Sequence, residues 1–388
     1  MSQRGQIRIG VVGLGLIAQS VHLPNLRTLR DQFTVTHLCD VSEDLAKALA
    51  QEQPGDVRAS SDWSDVVADT NVDALLVLTP GSHGDIVLAA LHAGKHVLSE
   101  KPLAYSQAEA LEIASAATDS GCIMQVGYMK MYDPILHRVR DEIARLGTIR
   151  VVRVTVLHPT DEVQFEHVSL HRAASVDREL IARGVAYSAE RLTEALGDST
   201  LGLKALYENV LLGSVIHDIA LLRGLGFTLP SSFDFVSVDP APDDSQPIGP
   251  PRIMAVAALP ESGQLQFSWN WLPDFPEYTE EIVVIGDAGR LYLDLPGPYL
   301  PAHRARVRVV RMDGDERIDA VSFAGHRTAF VHELEAFARS IQDGAEVLST
   351  PEGAAADIAC LESMVAALGH RLALNVDGEA AAYVGLPG

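Results

Sequence analysis

The chain predicts an α/β protein in two parts: a doubly wound parallel sheet, then an α+β domain on a mostly antiparallel sheet. Three observations predict it. Short, nearly continuous apolar runs alternate with amphipathic segments through the first third, as strands covered on both faces by crossover helices require. Beyond Leu229, strand-like stretches follow one another without helices between them, the mark of an antiparallel or mixed sheet. At 388 residues the chain is long for one core, so two domains are expected, at 1–127 and 128–388.

Each element has a local reason. Apolar strands are predicted at Ile7–Val12, Val35–Cys39, Ala74–Leu78, His96–Leu98 and Ile123–Val126, with a weaker strand at Asp56–Ala59 completing six. Helical periodicity lies between them at Ser42–Gln51, Ser61–Ala68, Asp85–Ala93 and Gln107–Asp119. Past Gly127, Asp133-Pro134 offers a cap and first-turn pair for a helix to Leu146, and Arg150–His158 alternates like a strand. Val176–Leu196 repeats Leu180, Ile181, Val185, Ala189, Leu192 and Leu196 at helical spacing. Strands follow at Asp234–Val238, Ile253–Leu259, Gln264–Trp271, Glu281–Ile285, Arg290–Leu293 and Val307–Arg311, with the Pro- and Asp-rich Asp239–Pro251 read as a loop. Two helices, His326–Asp343 and Pro351–Gly369, close the chain.

After the first strand comes Gly13-Leu14-Gly15-Leu16-Ile17-Ala18, opening a helical segment. Gly13 permits a tight turn and Gly15 lets the backbone approach a pyrophosphate. Ala18 keeps helix and strand close, and the helix N-terminus favours the phosphate charge. Asp40 closes the next strand about 20 residues on, where an acid can accept from a ribose 2′-hydroxyl. Strand, glycine loop, helix and acid together predict a Rossmann domain binding NAD. NADP is disfavoured, because Asp40 would repel a 2′-phosphate and Val41-Ser42-Glu43-Asp44 contains no Arg or Lys to receive one. Ligands bind such sheets at the carboxyl ends of the strands, so the loops Thr79–His83 and Ser99–Leu103 should face the nucleotide.

Composition narrows the rest. Hydrophobic residues make up 47% of the chain, which excludes a disordered protein. A net charge of −22 argues against binding a nucleic-acid backbone. The start shows no leader pattern, and no apolar run approaches the ~18 residues of a membrane helix. Cys39, Cys122 and Cys360 are far apart in apolar surroundings, so buried free thiols, a reducing cytoplasm and no metal framework are expected.

Thr79-Pro80 with His83, Ala93-Gly94-Lys95-His96-Val97 and Glu100-Lys101-Pro102-Leu103-Ala104 resemble motifs of the Gfo/Idh/MocA oxidoreductases. Gly127–Pro134 and His217-Asp218-Ile219-Ala220-Leu221-Leu222-Arg223 resemble later motifs of that family. The resemblance implies an open-faced second sheet, homodimers or homotetramers, and NAD(P)-linked hydride transfer on a sugar, cyclitol or related secondary alcohol. It assigns Lys101 to the reacting oxygen and His217 to acid–base chemistry, and suggests a cis peptide before Pro102. A lysine ammonium can stabilise a developing alkoxide, and an imidazole can take the hydroxyl proton near neutral pH. Relatives that oxidise sugars usually carry an aspartate four residues before the histidine, and this chain has Gly213 there. Ser214, three residues back, is the alternative on a usable face, whereas Asp218 points about 100° away.

The remaining candidates are weighed against plain structural roles. Glu100, Thr79, Pro80, His83, Leu16 and Ile17 are expected around the cofactor, His83 equally as a helix-start residue. Tyr128 and Lys130 are expected at the substrate, and Met131 stands where relatives often have arginine. His158, His167 and His171 border the expected cleft without metal-ligand spacing. Trp269, Trp271 and Tyr278 are read as core or interface before a stacking wall. Two further readings stay open: reduction of an imine or keto intermediate, or a non-catalytic NAD(P)-sensing regulator on the same fold.

Overall fold

The computed structural model describes residues 5–160, 162–242, 251–260, 263–300 and 304–386. It divides into two compact units that are discontinuous in sequence. One comprises Met1–Met129, Val168–Arg191 and Phe330–Ala355; the other Lys130–His167, Leu192–Ala329 and Ala356–Gly388.

The first unit carries six parallel strands: β1 Ile7–Val12, β2 Phe33–Cys39, β3 Arg58–Ser60, β4 Ala74–Val77, β5 His96–Ser99 and β6 Met124–Val126. They lie in the order β3-β2-β1-β4-β5-β6, so the strand order reverses between β1 and β4, where such folds bind ligands. Its helices are α1 Leu23–Thr28, α2 Glu43–Gln51, α3 Trp63–Ala68, α4 Gly84–His92 and α5 Gln107–Ser120. Ser42 and Ser106 cap α2 and α5 by accepting from Leu45 N and Glu109 N, as serine does at N-caps. Ile9, Val11, Leu38, Leu76 and Leu98 from the strands pack with Leu334 and Phe337 of a later helix, Ala329–Asp343, in one core, each such side chain contributing about 1.5–3 kcal/mol by burial.

The second unit carries α6 Ile135–Ile143, β7 Ile149–His158, α7 Glu162–Phe165, the second part of α8 Arg178–Leu196, α9 Leu201–Leu206 and α10 Ile216–Gly224. Asp133 Oδ1 accepts from Ile135 N at 2.9 Å, but the N-cap position is held by Pro134, so the predicted cap residue acts one position before the observed cap. Then come β8 Phe235–Asp239, β9 Arg252–Leu259, β10 Gly263–Trp271, β11 Thr279–Gly286, β12 Gly289–Leu295, β13 Arg306–Asp313 and β14 Glu316–Phe323, with α11 Ala329–Asp343 and α12 Pro351–Leu372 closing the chain. The eight strands run β14-β13-β12-β11-β7-β10-β9-β8. β7 and β10 are parallel, and the other pairs are antiparallel.

Several expectations change. The helix after the glycine loop begins as a π turn, Ala18–His22, and a nine-residue π segment, Tyr207–Val215, precedes α10. The expected apolar face of α8 is partly outward, with Ile181 and Val185 exposed. Strand β14 escaped prediction because Glu316, Arg317 and Asp319 crowd its first half, charges being common on an edge strand. Cys122 is half-buried rather than buried, and all three cysteines are free thiols. Leu201–Gly224 is, by length and composition, apolar enough to cross a bilayer, contrary to the sequence expectation, and 61% of its apolar window is buried in the protein. Of the expected loop Asp239–Pro251, residues 243–250 lie outside the described residues.

Candidate active site

In the first unit the loop after β1 is built around Gly13. Its φ is +90°, and a Cβ there would meet the backbone of Leu78 and Thr79 at 2.8 Å, so only glycine fits. Gly15 is exposed, and a Cβ there would meet nothing within 4 Å. Leu16 and Ile17 beside it are half-buried. Ala18 is fully buried against the sheet, the close approach its small side chain allows. Asp40 follows β2 and accepts from Leu14 N at 2.8 Å and Ser42 N at 2.9 Å. A carboxylate offers about four acceptor positions, so two remain for a ribose diol. An open glycine loop beside an acid with spare acceptor positions fits a dinucleotide.

The loop after β4 is tied to the loop after β5. His83 is buried at the start of α4. Its Nε2 lies 2.6 Å from Thr79 O, and its Nδ1 2.8 Å from Ser99 Oγ and from Glu100 O. Both ring nitrogens face backbone carbonyls, Thr79 O and Glu100 O, which favour the charged ring, but burial outweighs them and holds it below its ordinary pKa. His83 thereby shapes the loop in which Thr79 is half-buried and Pro80 exposed. No side-chain hydrogen bond from it caps α4.

Glu100 is the buried hinge of the next loop. His22 Nε2 lies 2.9 Å from Glu100 Oε1, and Lys101 N donates to Glu100 Oε2 at 3.3 Å. Burial opposes its charge, yet the His22 hydrogen bond and the Lys101 ammonium hold its carboxyl below the ordinary value. Lys101 follows at the carboxyl end of β5, half-buried, and its peptide bond to Pro102 is cis. From α11, Phe330 meets the His22 ring edge-on at 5.9 Å. Glu333, one turn on, is fully buried, and neither of its carboxyl oxygens has a hydrogen-bond partner among the described residues. Burial first, then the Glu100 charge, pushes its pKa well up. Sequence reasoning missed both His22 and Glu333, since nothing local marks either as a neighbour of Glu100.

In the second unit Lys130 corrects its expected substrate role. Its Nζ lies 2.5 Å from Glu280 Oε2 and 3.7 Å from Asp218 Oδ1, and its side chain is nine-tenths buried. Burial disfavours the ammonium, but Glu280 and then Asp218 hold its pKa above the ordinary value. Asp218 is pushed well up, by burial first and then by Glu280, as expected where two acids share one lysine. Tyr278 donates to Glu280 Oε2 at 2.7 Å. A lysine so enclosed is a core ion cluster, with its charge spent on protein carboxylates. The sequence could not name Glu280, 150 residues away.

His217 is the second residue of α10 and half-buried. The Ser214 hydroxyl accepts from Trp269 Nε1 at 2.9 Å. Gly213 and Ser214 both lie in the π segment. A turn closed by i→i+5 bonds takes more residues than an α turn, so three residues fall well short of one turn and four come closer. Gly213 keeps the position below His217, and a Cβ there would find only Glu208 O, at 3.7 Å. Trp269 is buried, as the core reading expects. His158 stacks on its cross-strand partner Trp271 at 4.9 Å and meets the Tyr278 ring at 5.4 Å. Tyr128 is buried in the first unit, and Met131 packs against Gly224 in the second. His167 and His171 are exposed, and no group of three or more His, Cys, Asp or Glu side chains able to hold a metal occurs among the described residues.

Comparison with known proteins bears on both units. Residues 7–128 match the oxidoreductase family with an NAD-binding Rossmann fold. The myo-inositol 2-dehydrogenase of Thermotoga maritima is 30% identical over 156 residues, 39% of this chain and 46% of that enzyme. The inositol 2-dehydrogenase/D-chiro-inositol 3-dehydrogenase of Shouchella clausii is 36% identical over 129 residues, 33% of this chain and 37% of its own. The chain thus spans less than half the length of these relatives. Over 92% of this chain and 96% of its own, a 3-ketoreductase from Actinomadura kijaniata, solved with NADP, shares the fold at a TM-score of 0.66 and 20% identity. A UDP-N-acetylglucosamine 3-dehydrogenase from Acidithiobacillus ferrooxidans shares it at 0.66 and 17%, over 94% of this chain and 98% of that one.

Proposed function

We propose that this chain, whose Rossmann domain belongs to the Gfo/Idh/MocA oxidoreductase family, oxidises a ring hydroxyl of a cyclitol or sugar with NAD. A bound nicotinamide would supply the hydride acceptor. The chain's own part is to bind, orient and move a proton. Gly13, Gly15, Leu16 and Ile17 form the phosphate loop, and Asp40 receives the ribose hydroxyls, its charge disfavouring a 2′-phosphate. Lys101 holds the reacting oxygen and favours its alkoxide character. His217 takes the hydroxyl proton. The substrate class rests on the inositol dehydrogenases that the chain resembles, and a homodimer or homotetramer is part of the same reading.

The observation that carries this reading is the Glu100–Lys101 loop. His22 and His83 both bond Glu100, next to Lys101 at the strand end where these folds act. The test is a titration of NAD and NADP on the purified protein, followed by turnover on a panel of cyclitols and sugars. Lys101→Ala should lose about 10²–10⁴-fold in kcat while NAD affinity stays near the parent value. NADP binding as tight as NAD, or an alanine variant with parental kcat, would refute the corresponding assignment.

A further inference from the structure

The first part of α8 belongs to the Rossmann unit, although it arises between two elements of the second. Asp177 caps it, accepting from Glu179 N and Leu180 N, while its own N–H donates to Val41 O at 2.7 Å, beside Asp40 at the end of β2. Ser175 Oγ donates to Asp44 at 3.1 Å, and Arg183 reaches Asp62 beyond β3 at 2.9 Å. Eleven residues after Asp177, Ser188 Oγ accepts from Ser82 N at 3.0 Å, in the loop after β4. The same loop's Ser82 Oγ and the Tyr187 hydroxyl both donate to Glu109 Oε1, at 2.6 and 2.8 Å.

This landing is built for close approach. A Cβ on Gly81 would lie 2.5 Å from Ser188 Oγ, and one on Gly84 2.4 Å from the Tyr187 hydroxyl. Glu109 is buried and also accepts from Tyr105 N at 2.9 Å, so the anchor is a carboxyl group already held in place. Between the anchors the Arg183–Asp62 pair is joined by exposed residues. Ile181 and Gly184 are exposed, Val185 is 63% exposed, and nothing lies within 4 Å of a Cβ on Gly184. A reach of 11 residues is about 16 Å of helix, against about 10 Å for the two strand spacings from β2 to β4. In the order β3-β2-β1-β4, the bridged strand is β1, which leads into Gly13 and the phosphate loop.

We propose that Ser188 and Tyr187 are positioning residues for the dinucleotide: through them α8 spans the nucleotide crevice, fixes the loop after β4, and closes on a bound dinucleotide. This rests on the NAD reading above. A helix held at its ends with its middle exposed is easily loosened, and a ligand filling the span supplies the contacts it lacks.

The experiment measures NADH binding by fluorescence, with hydrogen–deuterium exchange over residues 168–191 with and without NAD. Wild-type protein should show protection at 178–188 on adding NAD. Ser188→Ala and, independently, Tyr187→Phe should weaken NADH binding about 3- to 10-fold, the loss of one hydrogen bond, and abolish the protection. Ser188→Thr, which keeps the hydroxyl, should restore both. Unchanged affinity and protection in both variants would overturn the proposal. Tighter NADH binding would also overturn it, since the helix would then compete with the nucleotide. A wild-type protein that binds neither NAD nor NADP would defeat the functional reading itself, an outcome distinct from variants that match a binding parent.

Discussion

Charge placement at single residues separates structure from chemistry in this chain. Lys130 sits in a motif that suggested substrate contact, yet its ammonium is committed to Glu280 and Asp218 in a buried cluster. Removing one partner of such a cluster strands the others, at a cost of about 3–5 kcal/mol. Lys130→Met should therefore lower Tm by roughly 10 °C, at about 2–4 °C per kcal/mol, and the Lys130→Met/Glu280→Gln pair should recover part of the loss. Thermal melts decide it, and a variant that melts like the parent would return Lys130 to the substrate. Glu333 gives the opposite sign. Its folded pKa is raised above its ordinary 4.5 by burial and by Glu100, so the folded state binds the extra proton and stability falls as pH rises through the interval above 4.5. Glu333→Gln should raise Tm most at pH 8 and by progressively less toward pH 4.5. An equal gain at both ends would show that ionisation is not the cause. Gly13, Asp40 and Lys101 were legible because glycine conformation and strand-end position are local properties. Glu280, His22 and Glu333 were not, because what defines each is a partner far along the chain.

At the scale of elements, the strands of the Rossmann sheet could be read to within two residues at each end, because buried parallel strands are apolar throughout. The periodicity of Val176–Leu196 marked the helix α8, although Ile181 and Val185 of that repeat are exposed. The π segment Tyr207–Val215 was invisible, because its composition is that of any apolar helix. It carries both Gly213 and Ser214. Ser214 accepts from Trp269, and Gly213, four residues before His217, is a position from which a carboxylate could reach the imidazole. Space exists there, with Glu208 O the nearest atom at 3.7 Å, so Gly213→Asp should fold normally. A nearby carboxylate favours the imidazolium and raises its pKa. A general base must be neutral, so the rising limb of the pH–rate profile should move to higher pH in Gly213→Asp on any accepted cyclitol or sugar. His217→Ala supplies the control, and an unmoved limb alongside full activity in that variant would remove His217 from the mechanism.

For the molecule as a whole, charge is the property read most directly from sequence and least affected by folding detail. The chain carries 52 acidic against 30 basic side chains, a net −22. Most described ion pairs are surface ones, such as Arg150–Asp287, Lys47–Glu43 and Arg58–Asp65, each worth about 0–1 kcal/mol and weakened by salt. The excess of acids over bases leaves a repulsion acting over the whole surface, which opposes the compact state. Raising NaCl from about 0.01 M to 0.1 M shortens the screening length from about 30 Å to about 10 Å. That removes long-range repulsion between distant acids while leaving contact pairs at 3–4 Å partly intact. The buried Lys130–Glu280 pair, shielded from solvent, should hardly respond. Tm at pH 7.5 should therefore climb by a few degrees over this salt range and flatten above it. At pH 5, where part of the carboxylate excess is protonated, the climb should shrink. A Tm that falls with added NaCl at pH 7.5 would mean that the surface pairs outweigh the net charge, and that the acidic excess is arranged so that its members scarcely meet.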